Sequence, residues 1–171
     1  MPHDGAGGEL RIEPFGEGDL EAARAVYNHY VAHSTATFAE RPLDAAGARE
    51  MFLFADPRHA AFALRHAGGF VGYSLLGPYK ARCAYRDAAE VAVYLAPGRT
   101  GRGWGAAALA PLERHGRQHG LHVLIAGVCT ENEASMKLFP RAGYEPVAHF
   151  REVGFKFGRR LDVAYFQKLL D

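Results

Sequence analysis

The chain has little that would commit it to a membrane, a metal or an oxidising compartment. Its only cysteines, Cys83 and Cys129, are too few for a disulfide framework or a thiolate zinc site. A reducing cytoplasm is the expected compartment. No apolar run approaches the ~18 residues of a membrane span, so no membrane partner is expected. Lys and Arg number 20 against 19 Asp and Glu, a formal net charge of +1. That balance gives nucleic acid no electrostatic footing. His29 and His33, like His115 and His119, stand four residues apart, but neither pair carries the glutamate of an H-E-x-x-H zinc motif, so no metal is expected. Met1 to Gly8 lacks the basic and apolar regions of a signal peptide and reads as a flexible tail, residues 1–8.

What remains is 171 residues that are 49% hydrophobic and 23% charged, enough for one domain with a sizeable core over residues 9–171. Leu10–Pro14 reads as an opening strand, and Asp19 as the cap of a helix carrying Leu20, Ala23, Tyr27, Tyr30 and Val31 on one face. The Thr35–Phe38 stretch is extended or looped. Pro42 and Asp44 open a second helix that runs through Phe54 and closes at Asp56-Pro57. Ala60–His66 and Phe70–Leu76 form a hairpin across Gly68-Gly69, and Gly77–Ala89 reads as a loop. A central strand Glu90–Leu95, a helix from about Gly103 to His119 and a strand Leu121–Val128 make a parallel, right-handed βαβ unit. Pro111 predicts a kink near Ala107. Asn132–Ala142 is a short helix, and Tyr144–Glu152 and Leu161–Leu170 are final strands beside a Gly154–Arg160 loop. The fold class is therefore α/β with a mixed sheet.

The informative stretch is Glu90 to Leu109. A β-branched strand runs into Ala96-Pro97-Gly98-Arg99-Thr100, then Gly101-Arg102-Gly103-Trp104-Gly105, then an alanine-rich helix start. This order sets free backbone N–H groups and the positive end of a helix dipole just past a strand, a cradle for phosphate or pyrophosphate. A Walker loop is excluded, because Gly103-Trp104-Gly105 stands where Gly-Lys-Ser/Thr is required. The dinucleotide fingerprint G-x-G-x-x-G/A matches at Gly103, Gly105 and Ala108, with Glu131 roughly where a ribose-binding acid would sit. It expects glycine directly after the strand, and Ala96–Thr100 intervene. A nicotinamide-dependent enzyme stays an alternative at this point, as do glycines that serve only tight packing.

Thr100 to Gly105 also resembles the acetyl-CoA loop Q/R-x-x-G-x-G/A of the GNAT N-acetyltransferases, with threonine at the opening position. Asn132-Glu133-Ala134-Ser135-Met136-Lys137-Leu138 with Gly143-Tyr144 is similar to that family's second signature, N-x-A-S-x-x-L-…-G-F/Y. Asn28-His29-Tyr30, Gly77–Arg82 with Ala84-Tyr85, and Phe155–Arg159 with Leu161-Asp162-Val163 resemble the phosphinothricin and methionine sulfoximine/sulfone acetyltransferase subgroup.

The resemblance implies a GNAT-type acyl-CoA N-acyltransferase fold: a central mixed, mostly antiparallel sheet with one parallel βαβ unit, flanked by helices. It implies acetyl-CoA as cosubstrate, a small amino-acid-like primary amine as acceptor and a homodimer. Carried over by position, Glu90 is the general base. Pantetheine runs along Val93, Tyr94 and Leu95, and the pyrophosphate lies on Gly101, Arg102, Gly103, Trp104, Gly105 and Ala106, with Asn132 and Ser135 facing the cofactor. Lys80, Ala81, Arg82, Val91 and Ala92 join Glu90 around the acceptor, the cations suiting a carboxylate or phosphinate. Phe139 departs from the family, standing where a histidine or tyrosine protonates the leaving thiolate, with Tyr144 or water as substitutes. That departure motivates an alternative of another class, a non-catalytic acyl-CoA-binding domain. Phe157, Arg160 and Trp104 also differ from the subgroup's usual residues.

Overall fold

The computed structural model describes residues 8–171; the expected tail lies, apart from Gly8, outside them. Among these residues seven strands form one sheet, in which the strands numbered along the chain stand in the order 1-2-3-4-5-7-6. They are β1 (Arg11–Pro14), β2 (Ala60–His66), β3 (Gly69–Pro78), β4 (Ala88–Leu95), β5 (Val123–Cys129), β6 (Glu145–Lys156) and β7 (Arg159–Leu169). Only β4 and β5 pair in parallel; every other neighbouring pair is antiparallel. The helices are α1 (Leu20–His33), α2 (Ala45–Phe52), α3 (Trp104–Gln118) and α4 (Glu133–Arg141).

The apolar spacing of each helix decides which layer it joins. Ala23 and Val26 of α1, with Ala48 and Phe52 of α2, pack on Tyr73 of β3 to cover one face of the sheet. Leu109 and Leu112 of α3 and Phe139 of α4 bury against Leu124, Val128, Ala164 and Phe166 on the other. The antiparallel β2–β3 ladder skips Val71, between the pairs Leu64↔Gly72 and Arg65↔Phe70. This bulge turns Val71 to the α3 side, where it packs with Leu64, Trp104 and Ala108. Gly72 is required beside it, since a Cβ there would lie 2.5 Å from the Tyr94 carbonyl oxygen.

Several boundaries differ from the sequence reading. Asp19 does not cap α1 with its side chain; it closes a 3-10 turn, accepting from the Gly16 N–H at 3.0 Å and pairing with Arg65. Residues expected in the Gly77–Ala89 loop partly extend the sheet, since Gly77 and Pro78 pair with Glu90 and Ala89. Only the intervening residues loop, around a 3-10 turn at Cys83–Tyr85. The Gly154–Arg160 loop is instead the tip of a long hairpin, with Gly154↔Leu161 and Lys156↔Arg159 paired. Tight reversal at Phe157-Gly158, both at positive φ, permits this. Asp44 does cap α2, accepting from the Gly47 N–H at 2.7 Å.

Candidate active site

Hydrogen bonding of β4 is asymmetric, and that asymmetry makes the site. On one side it pairs with β3 from Ala89 to Leu95; on the other it meets β5 only over Ala88–Glu90. β5 stays with β7 along its whole length, so the two parallel strands splay apart past Glu90. A cavity of about 290 Å³ opens in the wedge, between Val91–Tyr94 on one side and Gly127–Cys129 on the other. Glu90, the last β4 residue paired with β5, stands at its apex. Water reaches the carboxylate through the mouth, yet desolvation by the surrounding walls raises its pKa above the ordinary glutamate value.

The remaining walls come from three places: the Thr35–Phe38 segment after α1, Asn132, Ser135, Leu138 and Phe139 around α4, and Val163 and Tyr165 of β7. Gly127 lets the Tyr165 ring lie across β5, because a Cβ there would sit 3.1 Å from the ring. Burial, then the charge of Glu90, raises the Tyr165 hydroxyl pKa. Tyr94 donates to the Ala36 carbonyl at 3.1 Å, and Tyr30 to the Leu95 carbonyl at 2.6 Å. These bonds tie α1 and its following segment to the free flank of β4.

A second groove of about 570 Å³ adjoins the cavity, and the two share Thr35, Ala36, Val93, Tyr94, Asn132, Ser135 and Leu138. Its far end is the glycine arc: Thr100, Gly101, Gly103, Gly105 and Ala106 line it, faced by Lys137 and Arg141 of α4. Gly101 and Gly103 sit at φ +77° and +76°, and Gly103 begins α3 with no side-chain cap. The amides of Gly101 to Ala106 therefore donate to no carbonyl or side chain among the described residues. A row of orphan donors at a helix N-terminus, with two cations opposite, fits a pyrophosphate.

Not every residue named from the sequence faces these spaces with its side chain. Trp104 is buried against His66, their rings 4.9 Å apart, and Arg102 stacks over the indole at 5.2 Å. Neither lines the groove. Lys80, Ala81 and Arg82 line a separate recess with Arg58 and Arg86, the Lys80 ammonium lying 5.2 and 5.5 Å from the Tyr79 and Tyr85 rings. Asn132 accepts from the Ser135 N–H at 3.2 Å, so it caps α4 while lining both spaces. Tyr144 is buried below Phe139 and lines neither space, which removes it as a proton donor. Glu131 pairs with Arg159 and accepts from Thr35, so it is engaged by two partners rather than held free for a ribose.

Sequence reasoning missed the Thr35–Phe38 wall, Gly127, Val163 and Tyr165. Alternation along β7 was a usable signal for Val163 and Tyr165, which share a face. For Thr35–Phe38 there was none, because the segment has no periodicity.

The model of the acetyltransferase (GNAT) family matches residues 23–144. A phosphinothricin N-acetyltransferase of Streptomyces coelicolor is 37% identical over 95% of this chain and 97% of its own length. An L-methionine sulfoximine/L-methionine sulfone acetyltransferase of Pseudomonas paraeruginosa is 34% identical over 94% of each chain. The crystal structure of a phosphinothricin acetyltransferase from Sinorhizobium meliloti in complex with acetyl-CoA superposes with a TM-score of 0.89 at 27% identity, covering 94% of this chain and 88% of that one. With the splayed strands and the amide cradle, these similarities establish that the chain belongs to the GNAT acetyltransferase family.

Proposed function

We propose that this acetyltransferase moves the acetyl group of acetyl-CoA directly to the primary amine of a small amino-acid-like acceptor of the phosphinothricin or methionine sulfone type, with Glu90 as general base. The observation that carries this reading is Glu90 at the apex of the wedge, its pKa raised, in a cavity continuous with the amide cradle. The names of the similar enzymes support the acceptor class.

The amine arrives protonated, and a carboxylate of raised pKa is the better base for taking its proton, directly or through one water. Along the unpaired flank of β4, the Val93–Leu95 stretch offers backbone groups other than the Leu95 carbonyl, which Tyr30 holds, for an extended pantetheine, as an added strand would use them. One such N–H aimed at the developing oxyanion contributes about 3 kcal/mol. Asn132 and Ser135 hold the cofactor where groove meets cavity, and Gly101 to Ala106 hold its diphosphate. Phe139 supplies no proton. A thiol of ordinary pKa, near 8.5, needs none: leaving as thiolate costs about 2 kcal/mol at pH 7. Val91 and Ala92 flank the acceptor. Lys80 and Arg82 are proposed to receive its acid group from their own recess, which borders β4 at Ala88 and β3 at Pro78, next to the Gly77↔Glu90 pair.

The enzyme is further proposed to be a two-fold dimer through β6, and to work in the reducing cytoplasm. β6 is a sheet edge that exposes Val147, Phe150, Val153 and Phe155, and both cysteines are free thiols. No helix among the described residues is long and apolar enough to cross a membrane. Thiol release from acetyl-CoA, screened over amino acids including phosphinothricin, methionine sulfone and methionine sulfoximine, tests the acceptor. Turnover with one of these is expected; turnover only with polyamines or peptides would overturn the assignment.

A further inference from the structure

Lys156 is the least expected residue in the core. It is 1% exposed on β6, and no carboxylate among the described residues lies within ion-pairing distance. Its ammonium donates instead to three carbonyls: Ser34 at 2.7 Å, Thr37 at 2.8 Å and Tyr30 at 3.4 Å. Three donors meet three acceptors at the C-terminal, negative end of the α1 dipole. Burial depresses the pKa of Lys156, while the more distant charge of Glu40 opposes the shift.

A buried, unpaired ammonium is an expensive way to fill volume, and an apolar side chain of similar length would pack there at less cost. What the ammonium does that methionine cannot is fix the Ser34 and Thr37 carbonyls, and with them the segment between. That segment is the wall of the acceptor cavity formed by Thr35, Ala36, Thr37 and Phe38. Two further ties run from the same hairpin to the same wall. Phe38 packs onto Gly154, where a Cβ would meet its ring at 2.4 Å, and the Arg159–Glu131 pair reaches Thr35.

We propose that Lys156 is a positioning residue for the acceptor: from the β6–β7 hairpin it sets the place of the Thr35–Phe38 wall, and so the fit of the amine opposite Glu90. The proposal rests on the acetyl-transfer reading above. The cofactor groove depends less on this wall, because the glycine arc and α4 build most of it.

The test compares wild type with Lys156→Met and Lys156→Gln, using methionine sulfone as acceptor. For Lys156→Met, kcat/KM for the acceptor should fall about 10²-fold, as expected for a displaced binding wall, while the acetyl-CoA Kd stays within about twofold. Amide exchange should quicken at Ala36 and Ala39, whose N–H groups donate to Ser34 and Thr37 side chains. A folded variant with unchanged acceptor kcat/KM overturns the proposal, as does equal loss for both substrates. Should Lys156→Met not fold, Lys156→Gln retains a donor and should show the same split more weakly; no split overturns it. A wild-type chain inactive on every amine would sink the acetyl-transfer reading instead, and exchange at Ala36 and Ala39 would then decide the role of Lys156.

Discussion

Glu90 combines two demands that pull its carboxyl in opposite directions. As the proposed general base it must be ionised to accept a proton, yet its walls disfavour the charge, so its pKa stands above the ordinary glutamate value. Turnover should therefore rise with pH on an acid limb placed above the free-glutamate pKa of about 4.3. Glu90→Gln should remove that limb and lower kcat by about 10²- to 10⁴-fold, the usual contribution of a positioned base. Acetyl-CoA affinity, measured calorimetrically, should hardly change. The sign for stability is the reverse. A glutamate whose folded pKa is raised opposes folding once pH exceeds its unfolded value, and does so fully above the folded one. Glu90→Gln should thus melt no lower than wild type at pH 7, with the difference vanishing near pH 4. Cys129 lines the same cavity, but direct transfer needs no acyl-enzyme. Cys129→Ala should retain turnover, and a burst of thiol release lost in that variant would contradict direct transfer.

Among the elements, the glycine arc and α3 act as one device. Gly101 and Gly103 hold left-handed conformations that aim consecutive amides outward. A Cβ at Gly103 would meet no atom within 4 Å, so Gly103→Ala tests conformation without a clash. The left-handed state costs alanine about 1–2 kcal/mol, so acetyl-CoA binding should weaken about 5- to 30-fold. The acceptor KM at saturating acetyl-CoA should stay constant. A comparable rise in both constants would mean that the arc supports the fold generally.

At the scale of the whole molecule, the parallel β4–β5 pair is short because β5 answers to β7. The cleft is thus a consequence of sheet order rather than of any local motif. Acetyl-CoA bridging the two strands should act as a staple. At about 100 times its Kd it should add about 2.7 kcal/mol, raising Tm by about 5–10 °C in a chain of this size. NADH should have no such effect. The apolar strip on β6 belongs to this scale too. Val153 and Phe155 are 61% and 54% exposed. Val153→Asp should convert a dimer to a monomer in sedimentation velocity; a wild-type monomer at micromolar concentration would refute the dimer.

Much of this was written in local pattern. A Gly68-Gly69 turn between two runs marked β2 and β3, a β-branched run marked β4, helical spacing marked α1, and a glycine-rich arc before an alanine-rich start marked the cradle and α3, because each signal needs only a few neighbouring residues. The family resemblance then carried Glu90, Asn132 and Ser135 to positions that do line the cavity. The rest was decided by pairing between distant segments. Neither the bulge at Val71 nor the extension of β6–β7 to Lys156 shows in composition, and Asp19 looked like a cap until Arg65 arrived from another strand. Lys80 and Arg82 fall into a recess of their own for the same reason. The sequence by itself determined the elements, the cradle and the family; only tertiary structure decided that β4 and β5 part at Glu90 and that a buried lysine holds the facing wall. Local preferences act over a turn of chain, whereas a cleft exists only where two strands, each satisfied by another partner, leave one another.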